Sequence, residues 1–523
     1  MRPHENLAAR LIGYTSHDNT SNLVGIEGAY DSYLKGVNGV ALMQKLTGGS
    51  SNVWMPVNDN YEVDPKDGMD IVTTIDINFQ DVAEKALLKQ LVNQDADHGC
   101  AVLMEVETGE IKAIVNLGKD KNGNYREIQN YAIYESVEPG STFKLPVIIA
   151  ALEDGYIELE DTINTENGLF QYSRDKVIKD ENYWKGGSGW ISVKRAFEVS
   201  SNIAMVKIIS SAYKGYEGHF IDRLTSMRLN EKLGIEIKGE GKPFIKYPDD
   251  KYWSGISLGM IAHGYEVRMT PLQILTFYNA IANDSKMVKP KFVKEIRLHG
   301  RTVKTNTTEV LKHSVCSRST LKKARILLEG VVENGTASNI KNKYFKIAGK
   351  TGTSQIFNTE TGSYRSETGT SYQASFAGYF PADEPKYSCI VVVNSPSKNV
   401  YHGNEVAGPV FAEIANKVYS LDFGKNYNVD KNAFITDLPY SKDGFFKDLE
   451  NVTDELNLDI TKKGVHSDWI VTQRTEDKIV LQEKKIIPNL VPNVVMMGAK
   501  DAVYLLENSG LKVIVKGRGS VKH

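Results

Sequence analysis

The chain has 523 residues, too many for one hydrophobic core, so we expect about three domains. Its formal net charge is −2, which gives no electrostatic basis for binding nucleic acid or for tight adsorption to a membrane surface. The cysteines lie far apart without metal-ligand spacing, and we expect buried free thiols at Cys100, Cys316 and Cys389. The histidines form no paired ligand motif, so the sequence predicts no metal ion and no cofactor.

An apolar run from Leu145 to Leu152 predicts a buried helix. It follows the turn signal Glu138-Pro139-Gly140, which puts Ser141 at the helix N-terminus, where backbone N–H groups favour a developing oxyanion. Lys144 lies three residues later on the same helix face, within reach as a base if burial or another positive charge keeps it neutral. Pro146 cannot donate to the Thr142 carbonyl, so we expect an irregular first turn.

Ser200-Ser201-Asn202 interrupts an apolar stretch, a pattern that suits a loop between two helices with side chains pointing into a cleft. Taken alone, an ordinary helix cap explains these residues equally well, because serine and asparagine are favoured there.

Lys350-Thr351-Gly352-Thr353 lies in a strand-like segment. Strict alternation would send Lys350 and Gly352 to one face and Thr351 and Thr353 to the other. A positive charge with hydroxyl groups on a strand edge suits a substrate carboxylate and an extended peptide beside the strand. The structural alternative is an edge strand weakened by glycine.

The three motifs stand in one order, and the ordered set resembles the signature of penicillin-binding proteins and serine β-lactamases. Ser201 replaces the usual Asp of the second motif, and no Glu-x-x-Leu-Asn element lies between Asn202 and Lys350. Both features point away from class A β-lactamases and towards class B penicillin-binding proteins, the division-type FtsI/SpoVD-like group. Segments such as 72–76, 264–273 and 376–383 also resemble the transpeptidase domain of that group.

The resemblance implies a multidomain α/β (α+β) fold: the penicillin-binding transpeptidase fold, with a central antiparallel sheet flanked by helices. Residues 1–68 resemble the C-terminal part of an N-terminal pedestal, and residues 69–425 the transpeptidase domain. Residues 426–485 are polar with scattered apolar anchors, which indicates a packed linker with a short amphipathic helix near Glu450; a partner-binding surface is the alternative. In residues 486–523 a strand, a helix at Ala499–Asn508 and a second strand at 510–515 resemble a PASTA-like module.

The resemblance also implies roles for the site residues. Ser141, activated by Lys144, would attack the D-Ala-D-Ala bond of a peptidoglycan stem peptide, releasing D-Ala and leaving an acyl-enzyme. Ser200 and Asn202 would relay protons and hold the donor amide. Lys350 and Thr351 would position the carboxylate, and Gly352 belongs to the same substrate-binding strand. Thr353 would contribute its hydroxyl, and its backbone N–H beside that of Ser141 in the oxyanion hole. An amine of a neighbouring stem would then form the cross-link, and a β-lactam would stall at the acyl stage.

Such enzymes have a membrane anchor and an extracytoplasmic catalytic domain, and work with divisome proteins that include a glycosyltransferase. No apolar run here approaches the roughly 20 residues needed to span a bilayer, so we expect an extracytoplasmic (periplasmic) fragment of a membrane protein. Two alternatives remain open. The same motifs would serve a DD-carboxypeptidase or slow β-lactamase with water as acceptor, and a non-catalytic β-lactam-sensing or wall-binding protein would keep the pocket without turnover.

Overall fold

The computed structural model describes most of the chain, in two compact units, Met1–Lys425 and Asn426–His523. The described residues are 7–13, 24–46, 53–57, 62–357, 362–364, 369–398, 400–422, 441–456, 458, 460–475, 478–517 and 519–522.

Elements of the first unit are numbered along the chain. Its strands are β1 (Met43–Leu46), β2 (Val53–Pro56), β3 (Asp70–Thr73), β4 (His98–Glu105), β5 (Ile111–Lys119), β6 (Tyr125–Arg126), β7 (Thr162–Asn164), β8 (Leu169–Ser173), β9 (Lys176–Lys179), β10 (Trp190–Ser192), β11 (Phe244–Ile245), β12 (Val267–Arg268), β13 (Met287–Val288), β14 (Val293–Leu298), β15 (Arg301–Thr305), β16 (Val310–Lys312), β17 (Ala348–Gln355), β18 (Tyr372–Phe380) and β19 (Tyr387–Asn394). Its helices are α1 (Ala9–Ile12), α2 (Gly25–Ala29), α3 (Asp31–Leu34), α4 (Ile77–Gln94), α5 (Tyr131–Tyr134), α6 (Lys144–Glu153), α7 (Val193–Glu198), α8 (Asn202–Tyr213), α9 (Glu217–Ser226), α10 (Ser257–Ala262), α11 (Pro271–Ala282), α12 (Arg318–Glu333) and α13 (Gly403–Asp422).

The centre of the first unit is a six-stranded antiparallel sheet in the order β17-β18-β19-β4-β5-β6. Strand β19 is buried along its whole length, as its apolar sequence predicts for a strand covered on both faces. Helices α4 and α13 pack on each other and on the sheet, and α11 packs against β18 and β19. This arrangement confirms the predicted α/β (α+β) fold class with a central antiparallel sheet.

Strand β17, which carries Lys350, lies at one edge of that sheet. Helix α12 and the turn before α6 pack against it. Helices α6 and α8 pack on each other, and α7 packs on α12. The sheet edge and these helices therefore bring the three motifs to one place.

The N-terminal residues contribute to the same core as the sheet. Leu11, Ile26 and Tyr30 are buried in it, and β3 pairs with β14 in a separate three-stranded sheet.

The predicted free thiols are confirmed: Cys100, Cys316 and Cys389 are all unpaired and buried.

The second unit contains β20 (Gly444–Phe445), β21 (Ile460–Lys463), β22 (Trp469–Arg474), β23 (Ile479–Glu483), α14 (Phe446–Glu455) and α15 (Ala499–Asn508). Its sheet has the order β20-β22-β23-β21, and β21 runs parallel to β23. Ile470, Ile479 and Leu481 are buried between sheet and helix. The described part of the expected linker therefore has a core of its own, and the amphipathic helix predicted near Glu450 begins at Phe446.

The helix predicted at Ala499–Asn508 is confirmed as α15. The strand predicted at 510–515 is wrong: within the described part of the chain these residues form no strand pairing, and the Gly510 and Leu511 N–H groups bond back to α15. The strand expected before α15 is also wrong: around the helix, the described residues form only two isolated bridges, Asp443 with Met497 and Gly498 with Ser520. No helix in the described parts of either unit is long and apolar enough to cross a bilayer.

Candidate active site

Ser141 lies in a 3-10 turn, Gly140–Phe143, that leads directly into α6. This turn is the irregular start that Pro146 predicted. Tyr278 of α11 donates its hydroxyl to the Thr142 carbonyl at 2.8 Å, which supplies the donor that Pro146 lacks. On the other side, the Gly140 N–H donates to Gly264 O at 3.1 Å. The turn is thus held from two sides, and the Ser141 side chain lines a cleft.

Lys144 is completely buried at the start of α6. Its Nζ donates to Ser200 O at 2.6 Å, to Asn202 Oδ1 at 2.6 Å and to Ser200 Oγ at 3.2 Å. An ammonium group has three donors, and these acceptors of the second motif can satisfy them. Among the described residues, the predicted contact with Ser141 is not one of its hydrogen bonds.

The second motif forms the predicted loop between two helices, α7 and α8. Ser201 caps α8 by accepting a hydrogen bond from the Ala204 N–H. Buried Asp180 fixes the loop: its carboxylate accepts from Ser201 Oγ and from the Asn202 N–H, each at 2.6 Å, and from the Ile203 N–H at 3.0 Å. Ser201 is therefore a helix cap, whereas Ser200 and Asn202 line the cleft, so each interpretation holds for part of the motif.

Lys350 is also completely buried, on strand β17. Its Nζ donates to Ser200 Oγ at 2.7 Å and to Thr351 O at 3.1 Å. Lys144 and Lys350, which come from the first and third motifs, therefore meet at one hydroxyl of the second motif.

The environment of the two lysines disfavours positive charge. Burial lowers the pKa of Lys144 to about 7, against the opposing effect of the carboxylates of Asp180 and Glu181. Burial also lowers the pKa of Lys350 well below its ordinary value, and the charge on Lys144 lowers it further. Near neutral pH a substantial fraction of Lys144 is thus neutral and able to accept a proton. Burial and Lys144 together lower the pKa of His263 to about 3, so its imidazole is neutral.

The rest of the third motif forms the wall of the cleft. Thr351 Oγ1 lies 2.8 Å from Thr336 Oγ1, and Thr353 Oγ1 accepts the Gly403 N–H at 3.1 Å. A Cβ on Gly352 would lie 2.2 Å from Ser375 Oγ and 3.0 Å from Thr142 Cγ2, so only glycine lets the strand approach the turn that carries Ser141 this closely.

These residues surround a cleft of about 320 Å³. Its lining includes five of the predicted site residues: Ser141, Ser200, Asn202, Thr351 and Thr353. Lys144 and Lys350 lie behind it, in contact with Ser200, and Gly352 lies between the two threonines. All eight residues predicted from the sequence therefore lie at one cleft. The geometry combines a hydroxyl at a turn, a partly neutral amine and hydroxyl-bearing donors, which suits acyl transfer.

Residues 99–416 match the family described as the penicillin-binding protein transpeptidase domain. The chain belongs to this family. It is 27% identical to stage V sporulation protein D of Bacillus subtilis over 88% of this chain and 71% of that protein. It is 25% identical to peptidoglycan D,D-transpeptidase FtsI of Escherichia coli over 83% of this chain and 68% of that one. These relatives agree with the class B assignment made from Ser201.

The fold of this penicillin-binding transpeptidase is similar to that of solved structures. Penicillin-binding protein 3 of Mycobacterium tuberculosis, solved with aztreonam, superposes with a TM-score of 0.66 at 23% identity, covering 81% of this chain and 90% of that one. The transpeptidase domain of Burkholderia pseudomallei penicillin-binding protein 3 gives a TM-score of 0.55 at 24% identity, covering 67% and 96%.

Several residues of this penicillin-binding transpeptidase site carry no signal in the sequence. Asp180 anchors the second motif from 21 positions away, and Thr336 meets Thr351 from the loop after α12. Neither belongs to a motif, so only the fold reveals them. The hydroxyl of Tyr278 had an indirect signal, because Pro146 predicted an unmet acceptor at Thr142.

Proposed function

We propose that this chain is a peptidoglycan D,D-transpeptidase that works through a serine acyl-enzyme. Ser141 would be the nucleophile, and its Oγ would attack the carbonyl of the D-Ala-D-Ala bond of a donor stem peptide. Neutral Lys144 would take the hydroxyl proton, directly or through Ser200. Hydrogen bonds of this kind are commonly long in free enzymes and shorten in the substrate complex.

The developing oxyanion would be stabilised by the backbone N–H groups of Ser141 and Thr353, which form the oxyanion hole of this proposal. Collapse of the tetrahedral intermediate would break the peptide C–N bond. Ser200 would pass a proton from Lys144 to the departing D-Ala amine, because its Oγ contacts Lys144 Nζ at 3.2 Å. The products of this half-reaction are free D-Ala and an ester on Ser141.

The donor carboxylate would bind beside Lys350, Thr351 and Thr353. A bound carboxylate would favour the protonated form of Lys350, opposing the effect of burial on its pKa. Asn202 would hold the donor amide. In the second half-reaction the nitrogen of an acceptor amine would attack the ester carbon, Ser141 Oγ would leave with a proton, and the new amide would be the cross-link.

One observation carries the proposal: Lys144 and Lys350, from separate motifs, place Nζ atoms 3.2 Å and 2.7 Å from the same Ser200 Oγ. A binding protein without turnover has no need for two buried amines around one hydroxyl, because burying them costs free energy.

The test is the mass of the intact protein after incubation with benzylpenicillin, with Ser141→Ala as the matched variant. One penicilloyl adduct on the parent and none on the variant supports Ser141 as nucleophile. No adduct on either folded protein would defeat the proposal. Product analysis with a donor peptide and an amine then separates transfer to amine from hydrolysis, the outcome expected of a carboxypeptidase or slow β-lactamase.

The same proposal covers organisation and location. Residues 1–68 would form the end of a pedestal, 69–425 the transpeptidase domain, 426–485 a connecting region and 486–523 a PASTA-like module. The catalytic domain would be extracytoplasmic in a protein anchored to the cytoplasmic membrane, and its partners would be divisome proteins including a glycosyltransferase. The family match at residues 99–416 supports the transpeptidase assignment. Recovery of the partners with the full chain after cross-linking in cells would test the partner assignment.

A further inference from the structure

The cleft is lined by carboxylates as well as by the groups of the three motifs. Two carboxylates, those of Glu181 and Glu405, line the cleft that contains Ser141. Glu405 lies in the first turn of α13, where negative charge is stabilised by the helix N-terminus. Glu181 differs, because its side chain is 73% exposed; it contacts His402 and also acts electrostatically on Lys144. This carboxylate is therefore open to a ligand entering the cleft.

Glu181 and His402 belong to opposite walls. Glu181 directly follows Asp180, whose carboxylate is bonded to the second motif, so its backbone moves with the Ser200 loop. His402 directly precedes α13, whose first residue, Gly403, donates to Thr353 Oγ1 on strand β17. The pair consequently spans the cleft, from the proton-relay side to the carboxylate-binding side.

The contact across the cleft is loose. Glu181 Oε1 and His402 Nδ1 are 3.4 Å apart, whereas charge-assisted hydrogen bonds are typically about 2.7 to 2.9 Å. His402 itself is braced by Tyr401, whose ring lies 4.5 Å from the imidazole and stacks on Tyr372 at 4.1 Å. The imidazole is thus held in place while the carboxylate keeps room for a stronger cationic partner.

We propose that Glu181, held across the cleft by His402, binds the acceptor in its ammonium form. The bound ammonium group then loses one proton to neutral Lys144 and attacks the ester on Ser141 as the neutral amine. This inference rests on the proposed transpeptidase function. A primary alkyl amine has an ordinary pKa of about 10.4, so the acceptor reaches the cleft as a cation. The donor carboxylate is assigned to strand β17, and the buried amines of Lys144 and Lys350 offer no negative charge to a cation. The exposed carboxylate of Glu181 is therefore the group available to the cationic acceptor.

The test measures the acceptor dependence of the second half-reaction. A thioester donor acylates the full chain, and the rate of product formation is followed against the concentration of a primary amine or of a neutral alcohol acceptor. In Glu181→Gln, the half-saturating concentration of the amine should rise about tenfold or more, because a hydrogen bond to a charged group is lost. The alcohol should show no such rise. His402→Gln should raise the half-saturating concentration of the amine by a smaller factor, since the Glu181 carboxylate remains.

Glu309→Gln is the matched control, because Glu309 is 61% exposed, forms one ion pair with Lys289 and lies outside the cleft lining. This variant should leave the half-saturating concentrations of both the amine and the alcohol unchanged. If Glu181→Gln left the half-saturating concentration of the amine unchanged, the inference would be overturned. An equal rise in the half-saturating concentrations of amine and alcohol would also overturn it. An equivalent fall in the rate of acylation by benzylpenicillin would also overturn it, because the effect would not be specific to the acceptor. Failure of the parent to form an adduct would instead defeat the proposed function.

Discussion

The Tyr278 hydroxyl donates to the Thr142 carbonyl at 2.8 Å, beneath the turn that carries Ser141. The carbonyl belongs to the first turn before α6, where Pro146 has no N–H to offer. A tyrosine from α11 thus satisfies a buried acceptor that the proline leaves open, and it couples the helix under the site to the position of the candidate nucleophile.

Tyr278→Phe should lower the free energy of unfolding by about 1 to 3 kcal/mol, because a buried carbonyl loses its donor. It should also slow acylation by benzylpenicillin by about tenfold, because the turn loses one of the hydrogen bonds that hold it. Tyr125→Phe is the control: its hydroxyl lies 2.5 Å from Ala96 O and 3.0 Å from Leu91 O, and its strand β6 is at the opposite edge of the sheet from β17. Tyr125→Phe should lower the free energy of unfolding but leave the rate of acylation unchanged. If both variants slowed acylation equally, the role of Tyr278 would be contradicted.

Acylation should depend on pH through Lys144. Its pKa is lowered to about 7 chiefly by burial, and only the neutral amine can take a proton. The rate of acylation should therefore fall about tenfold per pH unit below about pH 7 and level off above it. The measurement is the rate of adduct formation between about pH 5 and pH 9, with circular dichroism to show that the fold is retained. A rate that does not change over this range would exclude Lys144 as the base.

Asp180→Ala should damage both stability and acylation. The buried carboxylate accepts three hydrogen bonds from the second motif, so its removal leaves the Asn202 and Ile203 N–H groups without that partner. We expect the free energy of unfolding to fall by about 2 to 4 kcal/mol and acylation to slow by more than about tenfold. Asp175→Ala is the control, at an exposed position on the β8–β9 turn. It should change neither the free energy of unfolding, measured by chemical denaturation, nor the rate of acylation.

The parts of the site that could be predicted from the sequence depend on local rules. The apolar run after Ser141 defines α6, the polar break at Ser200 separates two helices, and alternation with glycine defines β17. Each motif thus shows its own local structure, and the family resemblance brings the three together.

Partners from distant positions could not be predicted in the same way. Asp180 is one of many acidic residues in the sequence, and only the path of the chain after β9 puts it under Ser201. The strand expected at 510–515 has the right alternation, but alternation does not supply a neighbouring backbone to pair with. The pairing of β20 to β23 likewise depends on contacts between short segments whose apolar anchors show no clear period.

Gly264→Ala should displace the catalytic turn. Gly264 has a φ of 89°, and a Cβ there would lie 2.0 Å from Gly140 O, the residue that precedes Ser141. Gly155→Ala is the matched control, because Gly155 has a φ of 72° and a Cβ there would meet no atom within 4 Å. The control should lose about 1 to 2 kcal/mol from the backbone conformation alone.

Gly264→Ala should lose about 3 to 4 kcal/mol, because the clash adds to the cost of the backbone conformation, and it should slow acylation by about a hundredfold. The free energy comes from chemical denaturation and the rate from adduct formation. If both variants lost the same stability and kept the same rate, the close approach of Gly264 to Gly140 would have no part in holding Ser141. A large loss of rate in Gly264→Ala alone would show that the turn is positioned by this contact between two glycines.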